Sequence, residues 1–274
     1  MRILLPPSET KHPGGSGTPL GNAGATGGPA DDPLTTTRRT VLDAVRRLCT
    51  EHPERAVELL RIPPAVAETA LATNREVFDA PTMPALDRFT GVLFDAFAPA
   101  TLTPAARRRA DEMVLVFDGA FGVLRGDEPT PDHRVPAAAT LPELGGLAAV
   151  WRPVLAEVLR ERLDGHLVVD LRSTDYAAMW RPVATDASCV VPVRILVEQR
   201  TAAGTKQVVS SVPSKVGKGL LARALCTTRR QVRNERDLRA VATAAGFRIA
   251  TGSQAGALDL LFDFVPKAAR GRSG

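Results

Sequence analysis

Lys215 and Lys218 stand three residues apart in Val212-Pro213-Ser214-Lys215-Val216-Gly217-Lys218-Gly219, so on a helix they share a face, with Arg223 farther down. Two ammonium groups on one face suit a phosphate or another acidic group. The chain has only five lysines, so a pair here is conspicuous. The two glycines let a ligand or a second backbone come close. Ser214 is placed to cap the helix, and cations at a helix start oppose its dipole unless an anion also sits there. A solvated amphipathic helix is the plainer alternative. Residues 215–239 carry eight cations against Glu235 and Asp237, a local balance of +6. Such a stripe either grips a phosphate backbone in a salt-dependent way or is an exposed face.

Two other stretches carry usable groups. Phe117-Asp118-Gly119-Ala120-Phe121-Gly122-Val123-Leu124-Arg125 pairs a sharp glycine turn with a guanidinium, and Arg134 follows in Pro131-Asp132-His133-Arg134. Asp170-Leu171-Arg172-Ser173-Thr174-Asp175-Tyr176 comes directly after an apolar run, where α/β folds place sites at strand carboxyl ends. Asp170, Ser173 and Asp175 are the catalytic candidates, and Asp118 offers a further carboxylate for proton transfer. Ser173 or Thr174 has helix capping as its structural role. No Ser, Cys or His lies in a nucleophile motif, and neither the four histidines nor the three cysteines show metal-ligand spacing. No metal and no cofactor is expected. The glycine-rich stretch 13–29 lacks both phosphate-loop patterns and reads as a flexible surface loop.

The elements that must position these groups are legible in outline. Ile3-Leu4-Leu5 and Leu167-Val168-Val169-Asp170-Leu171 read as buried strands. Residues 35–97 read as helical, with Thr36 or Thr37 as a cap and a helical hairpin turning at Ile62-Pro63-Pro64. Helices are expected at 104–112, 144–162, 215–226 and 235–245. A hairpin is expected from 189–198 and 207–212, and final strands at 247–250 and 258–265. Together these predict a mixed α/β (α+β) fold, one domain over 1–266 with a mixed sheet flanked by helices, and a basic disordered tail at 267–274.

Composition sets the outer bounds. The 274 residues are 44% hydrophobic and 24% charged, ordinary for a globular chain, with a net charge of +5. Thirty of the thirty-five cationic residues are arginine, and aromatics are 4%, which weakens any scheme of extensive base stacking. The opening apolar run is too short for a signal peptide, and no stretch reaches the length of a membrane helix. The expectation is a cytoplasmic protein without a membrane partner.

With these motifs in order along the chain, the sequence resembles the YaaA family of peroxide stress response proteins. The resemblance rests on the opening strand with Pro6-Pro7-Ser8-Glu9-Thr10-Lys11, on Gly119 to Arg125 with Arg134, on Val168 to Tyr176, and on Lys215-x-x-Lys218-Gly219-x-x-x-Arg223. It implies a family-specific mixed α/β fold, a positively charged cleft, a helix-hairpin-helix element and DNA binding linked to oxidative protection. The hairpin maps to Leu59–Ala67, where Pro63 and Pro64 lack the N–H that such turns present to phosphate. Phe94, Phe121 and His133 stand where family members tend to carry tyrosine, Asp170 replaces an asparagine and Gly126 a proline.

Two functions follow as expectations. The first is a DNA-binding protein of the peroxide response, holding phosphates with Lys11, Arg125, Arg134, Lys215, Lys218 and Arg223. The second is an enzyme acting on a small phosphorylated or nucleotide-like substrate in the same cleft. Whether catalysis occurs stays open at this level.

Overall fold

The computed structural model describes residues 1–21, 32–183, 190–201, 204–250 and 256–264. In chain order, β1 (Arg2–Leu5) leads to α1 (Pro33–Glu51), α2 (Pro53–Leu59), α3 (Ala67–Arg75), β2 (Met83–Pro84), α4 (Ala85–Arg88), α5 (Val92–Phe97) and α6 (Pro104–Met113). Next are β3 (Val114–Asp118), β4 (Gly122–Arg125), β5 (Pro129–Thr130), β6 (Thr140–Leu141), β7 (Gly145–Gly146), α7 (Leu147–Leu163), β8 (Val168–Asp170) and α8 (Thr174–Ala177). β9 (Val190–Thr201), β10 (Gly204–Val208), α9 (Ser211–Thr227), α10 (Glu235–Ala244), β11 (Arg248–Ile249) and β12 (Leu258–Leu261) complete it.

Ile3, Leu4 and Leu5 are apolar on both faces of their strand and all three are fully buried. A strand covered on both faces belongs in the middle of a parallel sheet. β1 indeed runs parallel to β3 on one side and to β8 on the other, with Ile3 opposite Val114 and Val169. The main sheet has the order β11-β12-β9-β8-β1-β3-β4, with β10 on β9. β8, β9 and β12 continue the parallel set, while β4, β10 and β11 are antiparallel additions. Helices flank this sheet in one mixed α/β domain, as the alternation of apolar runs predicts.

The register brings the carboxyl ends of β1, β3 and β8 to one edge, at Leu5, Asp118 and Asp170. The segments leaving that edge are Pro6 to Lys11, the turn at Gly119, and Leu171 to Tyr176. They are the same segments that the sequence marks as chemically interesting.

Several boundaries differ from the sequence reading. α1 begins earlier than Thr36, because Asp32 accepts the Thr35 N–H at 2.9 Å and Pro33 fills the first helical position. The expected 207–212 strand stops at Val208, since Ser211 already begins α9. Ser214 is therefore buried in the first turn rather than capping it, and the lysines lie within the helix body. The last strand ends at Leu261 rather than Val265. The glycine-rich stretch is pinned where it is described, Gly17 and Thr82 exchanging backbone bonds of 2.8 and 3.1 Å. Its continuation and the basic tail lie outside the described residues. The helical hairpin forms as α2 and α3 with a short 3-10 turn, Pro64–Val66, before α3.

α9 lies close against α5. A Cβ on Gly219 would stand 2.2 Å from the Leu93 carbonyl oxygen. Arg223 fastens the same contact by donating to the carbonyls of Phe97 and Ala98, both at 2.9 Å, at the carboxyl end of α5. Gly219→Ala is expected to cost about 1–3 kcal/mol by overpacking. A urea melt reads this as a lower midpoint at unchanged slope, and an unchanged midpoint contradicts the close approach.

Candidate cationic cleft

A cavity of about 910 Å³ opens at the carboxyl ends of the parallel strands. The loop Pro6 to Thr10 forms one wall, Lys215 and Lys218 of α9 another, and Arg172 to Tyr176 with Val193 to Ile195 complete it. Hydroxyls of Ser8, Thr10, Ser173, Thr174, Ser211 and Ser214 belong to the same lining. A smaller pocket, about 20 Å³, adjoins it and contains Lys11, Asp118 and Arg134. Pro7, Ser8, Glu9 and Tyr176 line both spaces, so the two are neighbours across a shared wall.

Lys215 is exposed and makes no hydrogen bond or ion pair with the described residues. Lys218 is half-buried and donates to the Arg172 carbonyl at 3.1 Å. Burial pushes its ammonium down to about 8, Asp170 opposing and Lys215 adding to the fall.

Asp170 and Arg172 form a bidentate pair at 2.9 and 2.7 Å, and Asp170 also accepts the Arg172 backbone N–H. The guanidinium then donates to the carbonyls of Trp180 and Tyr176 and lies over the Phe117 and Trp180 rings. Arg172 is thus a clamp that folds the 170–180 segment into the cleft floor, and Asp170 is occupied in holding it. Ser173 and Asp175, by contrast, are exposed on the cavity lining.

Asp118 of the smaller pocket's lining is paired with His133, a partner that the sequence pattern does not indicate. Asp118 Oδ2 and His133 Nε2 are 2.9 Å apart with both side chains almost fully buried. Asp118 Oδ1 accepts the N–H groups of Ala120 and Phe121. His133 Nδ1 faces the Pro131 carbonyl at 3.0 Å, and a carbonyl only accepts, so Nδ1 carries a proton. One further proton is therefore shared between Nε2 and the carboxylate. Burial works against the Asp118 charge, yet His133, Lys11 and the Ala120 N–H together hold its carboxyl below the usual range. Tyr176 beside it is pushed up, first by burial and then by the Asp118 charge.

Arg134 reaches Glu9 at 2.5 Å and is set in place by Asn74 of α3, which accepts its backbone N–H and donates to its carbonyl. The hairpin contributes Arg61, held at φ 51°, to the rim of the same small pocket.

Of the six cations expected at the site, Lys11, Arg134, Lys215 and Lys218 line these two adjoining spaces. Arg125 does not. It pairs across the ladder with Leu115, near the start of β3, so it sits at the opposite edge of the sheet beside Asp127. Antiparallel β4 carries it away from the cleft. Arg223 is half-buried against α5 and lines neither space. The basic stripe divides as well: Arg230 pairs with Asp237 and Arg239 with Glu235 on the exposed surface, away from the cavity lining.

Asp118 and His133 had one legible signal. Asp118 ends an apolar run just as Asp170 does, and both aspartates close parallel strands beside β1. Among the described residues no group of His, Cys, Asp and Glu could hold a metal ion, and no helix is long and apolar enough to cross a membrane.

The family model for the peroxide stress protein YaaA matches residues 1–252. The chain is 40% identical to the UPF0246 protein SCO2297 of Streptomyces coelicolor over 228 residues, covering 83% of this chain and 84% of that one. It is 34% identical to the UPF0246 protein CE1889 of Corynebacterium efficiens over 256 residues, covering 91% and 94%. Against the UPF0246 protein Cgl1995/cg2186 of Corynebacterium glutamicum the identity is 35%, over 90% and 93%.

Removing His133 leaves Asp118 buried with its charge poorly compensated. His133→Ala is expected to lose about 3–5 kcal/mol of stability, as breaking a buried pair does. Chemical denaturation checks this, and a loss below about 1 kcal/mol would mean the pair is solvated rather than buried.

Proposed function

The chain belongs to the peroxide stress protein YaaA family, which supports a role in the stress response, and on that premise we propose that it binds DNA phosphates in its cationic cleft. The observation that carries this reading is the pair Lys215 and Lys218 on one wall of a 910 Å³ cavity, Lys215 without a partner among the described residues. Hydroxyls along the opposite wall add neutral donors, the usual complement to cations on a phosphate backbone. The reading carries a cytoplasmic location with it, where chromosomal DNA is found.

We assign the phosphate contact to the cleft and not to the helical hairpin. The hairpin's N–H groups at Leu60, Arg61, Ile62 and Val66 are already bonded within the turn, and Pro63 and Pro64 have none.

A second reading has its own support. A space of this volume is in the range of small-ligand pockets, and the smaller pocket that adjoins it is lined by Asp118, the partner of His133. An enzyme acting on a small phosphorylated ligand would use the same lysines. A thermal-shift panel of nucleotides and sugar phosphates separates the two: stabilisation by a free nucleotide favours the enzyme, and none favours DNA.

Salt and pH give the direct tests. Affinity for duplex DNA is expected to fall linearly with log salt, and Lys215→Ala/Lys218→Ala to weaken binding and flatten the slope by roughly two. Binding absent at low salt, or unchanged in the double variant, would sink the reading. Lys218 loses its proton as pH rises through about 8, so affinity is expected to drop between neutral pH and pH near 9. Lys218→Arg keeps its charge and should abolish that drop. The sign for stability is opposite. A lysine depressed in the folded state carries its cost below about 8, and folding stability gains as pH rises from there toward the ordinary lysine value.

A further inference from the structure

Lys11 is the one lysine of the smaller pocket, and its surroundings differ from those of Lys215 and Lys218. Its Nζ donates to the Ser8 carbonyl at 3.2 Å and lies 5.1 Å from the centre of the Phe89 ring. It makes no ion pair with the described residues. Phe89 in turn stacks on Phe94 at 5.3 Å, and Phe89 and Phe121 both meet the His133 ring edge-on. The amine thus rests on an aromatic ring in a pocket that Asp118 and Tyr176 also line.

We propose that Lys11 is a nucleophilic amine that condenses with an aldehyde carried by a phosphate-bearing ligand, the phosphate being held across the shared wall by Lys215 and Lys218. The phosphate half of this proposal rests on the cleft reading above; the amine half does not. Three observations support it. First, a lysine acts as a nucleophile when it is desolvated or set beside other cations. Lys11 meets both conditions: burial lowers its affinity for a proton, Asp118 and Asp132 oppose, and Arg134 and Arg88 add to the fall. Second, imine formation needs a proton donor and acceptor, and Asp118, which lines the same pocket, shares one proton with His133 behind it. Third, the pocket adjoins a space built for anions, with Pro7, Ser8, Glu9 and Tyr176 common to both.

The step balances without a further reagent. The neutral Nζ adds to the carbonyl carbon, a C–N bond forms, and the carbonyl π pair moves onto oxygen, which takes the first of the two nitrogen protons. The carbinolamine then expels that oxygen as water, the proton shared by Asp118 and His133 going to the leaving hydroxyl and the second nitrogen proton returning to the pair. One water is released, and nothing is oxidised or reduced.

Phosphate next to an aldehyde occurs in a free sugar phosphate and in the opened sugar of a base-free site in DNA. The test uses both. The full chain is incubated with borohydride and, separately, glycolaldehyde phosphate, phosphate-free glycolaldehyde, and a duplex oligonucleotide with one base-free site. Peptide mass spectrometry then locates each reduced adduct. With five lysines and one amino terminus, each position is distinguishable.

The expected result is an adduct on Lys11 that forms at least tenfold faster with the phosphate-bearing probe, and that Lys11→Arg abolishes while circular dichroism and thermal melting stay unchanged. An adduct found only on Met1, Lys215 or Lys218, or none on Lys11, overturns the proposal while leaving DNA binding standing. Labelling of Lys11 at equal rates with and without phosphate, unaltered in Lys215→Ala/Lys218→Ala, upholds the nucleophile and counts against the phosphate cleft. Trapping by the oligonucleotide alone or by glycolaldehyde phosphate alone identifies the source of the aldehyde, and either upholds the amine. Asp118→Asn separates proton transfer from placement: slower trapping with a shifted pH profile is expected, and an unchanged profile removes the Asp118–His133 pair from the step.

Discussion

The hydrogen bonds that β1 makes on both sides set the position of everything at the cleft. Ile3, Leu4 and Leu5 have no exposed surface, and Ile3 and Leu4 pair with both β3 and β8, and Leu5 with β3, to satisfy the backbone in an apolar layer. The apolar run is bounded by Arg2 and Pro6, and a slip of one residue would set either the guanidinium or a proline with no N–H in a paired apolar position. The register is therefore fixed, and with it the points where three strands release the chain toward the same edge. The cleft follows from this: parallel strands deliver their carboxyl ends together, and the loops leaving them enclose the space.

That geometry creates a difficulty which the two neighbours of β1 solve differently. Each ends in an aspartate, Asp118 on β3 and Asp170 on β8. A carboxylate taken out of water is costly unless paired and hydrogen-bonded. Asp170 meets a guanidinium that is itself spent on two carbonyls and two rings, so the pair is structural and stiffens the floor. Asp118 meets an imidazole and two backbone N–H groups, which leaves one proton between the two side chains. The second solution keeps chemistry available; the first does not. This is why Asp170, prominent in its motif, stands behind the cleft while Asp118 lines the small pocket.

Much of this was legible in the sequence because it depends on local patterns. The buried strands, the helical hairpin, the mixed sheet and the lysine pair all follow from apolar spacing or helical period. What was not legible depends on direction and distance. Arg125 stands seven residues beyond Asp118, yet β4 turns back along β3 and takes it to the far edge. Arg223 lies on the same helix as Lys218, but its side chain is drawn to the end of α5. His133 meets Asp118 across fifteen residues of irregular chain, which no period reports. The start of α9 differs for another reason: Val208 to Val212 carries strand-like valines, yet the strand ends at Val208 and the helix begins at Ser211.

The cations sort by chemical type. Arg134, Arg172, Arg194 and Arg223 near the cleft are all bonded to carboxylates or carbonyls, matching a planar fork with five donors. Lys11, Lys215 and Lys218 make no ion pair with the described residues. A compact ammonium on a flexible stem is poorly suited to clamping a fold and well suited to meeting a mobile ligand or giving up its proton. In a chain with thirty arginines and five lysines, three of the five lysines lining two adjoining spaces is a division of labour. Arginine builds the walls, and lysine is kept for what enters. The net charge of +5 therefore says less about function than the chemical type of the cations that line the two spaces.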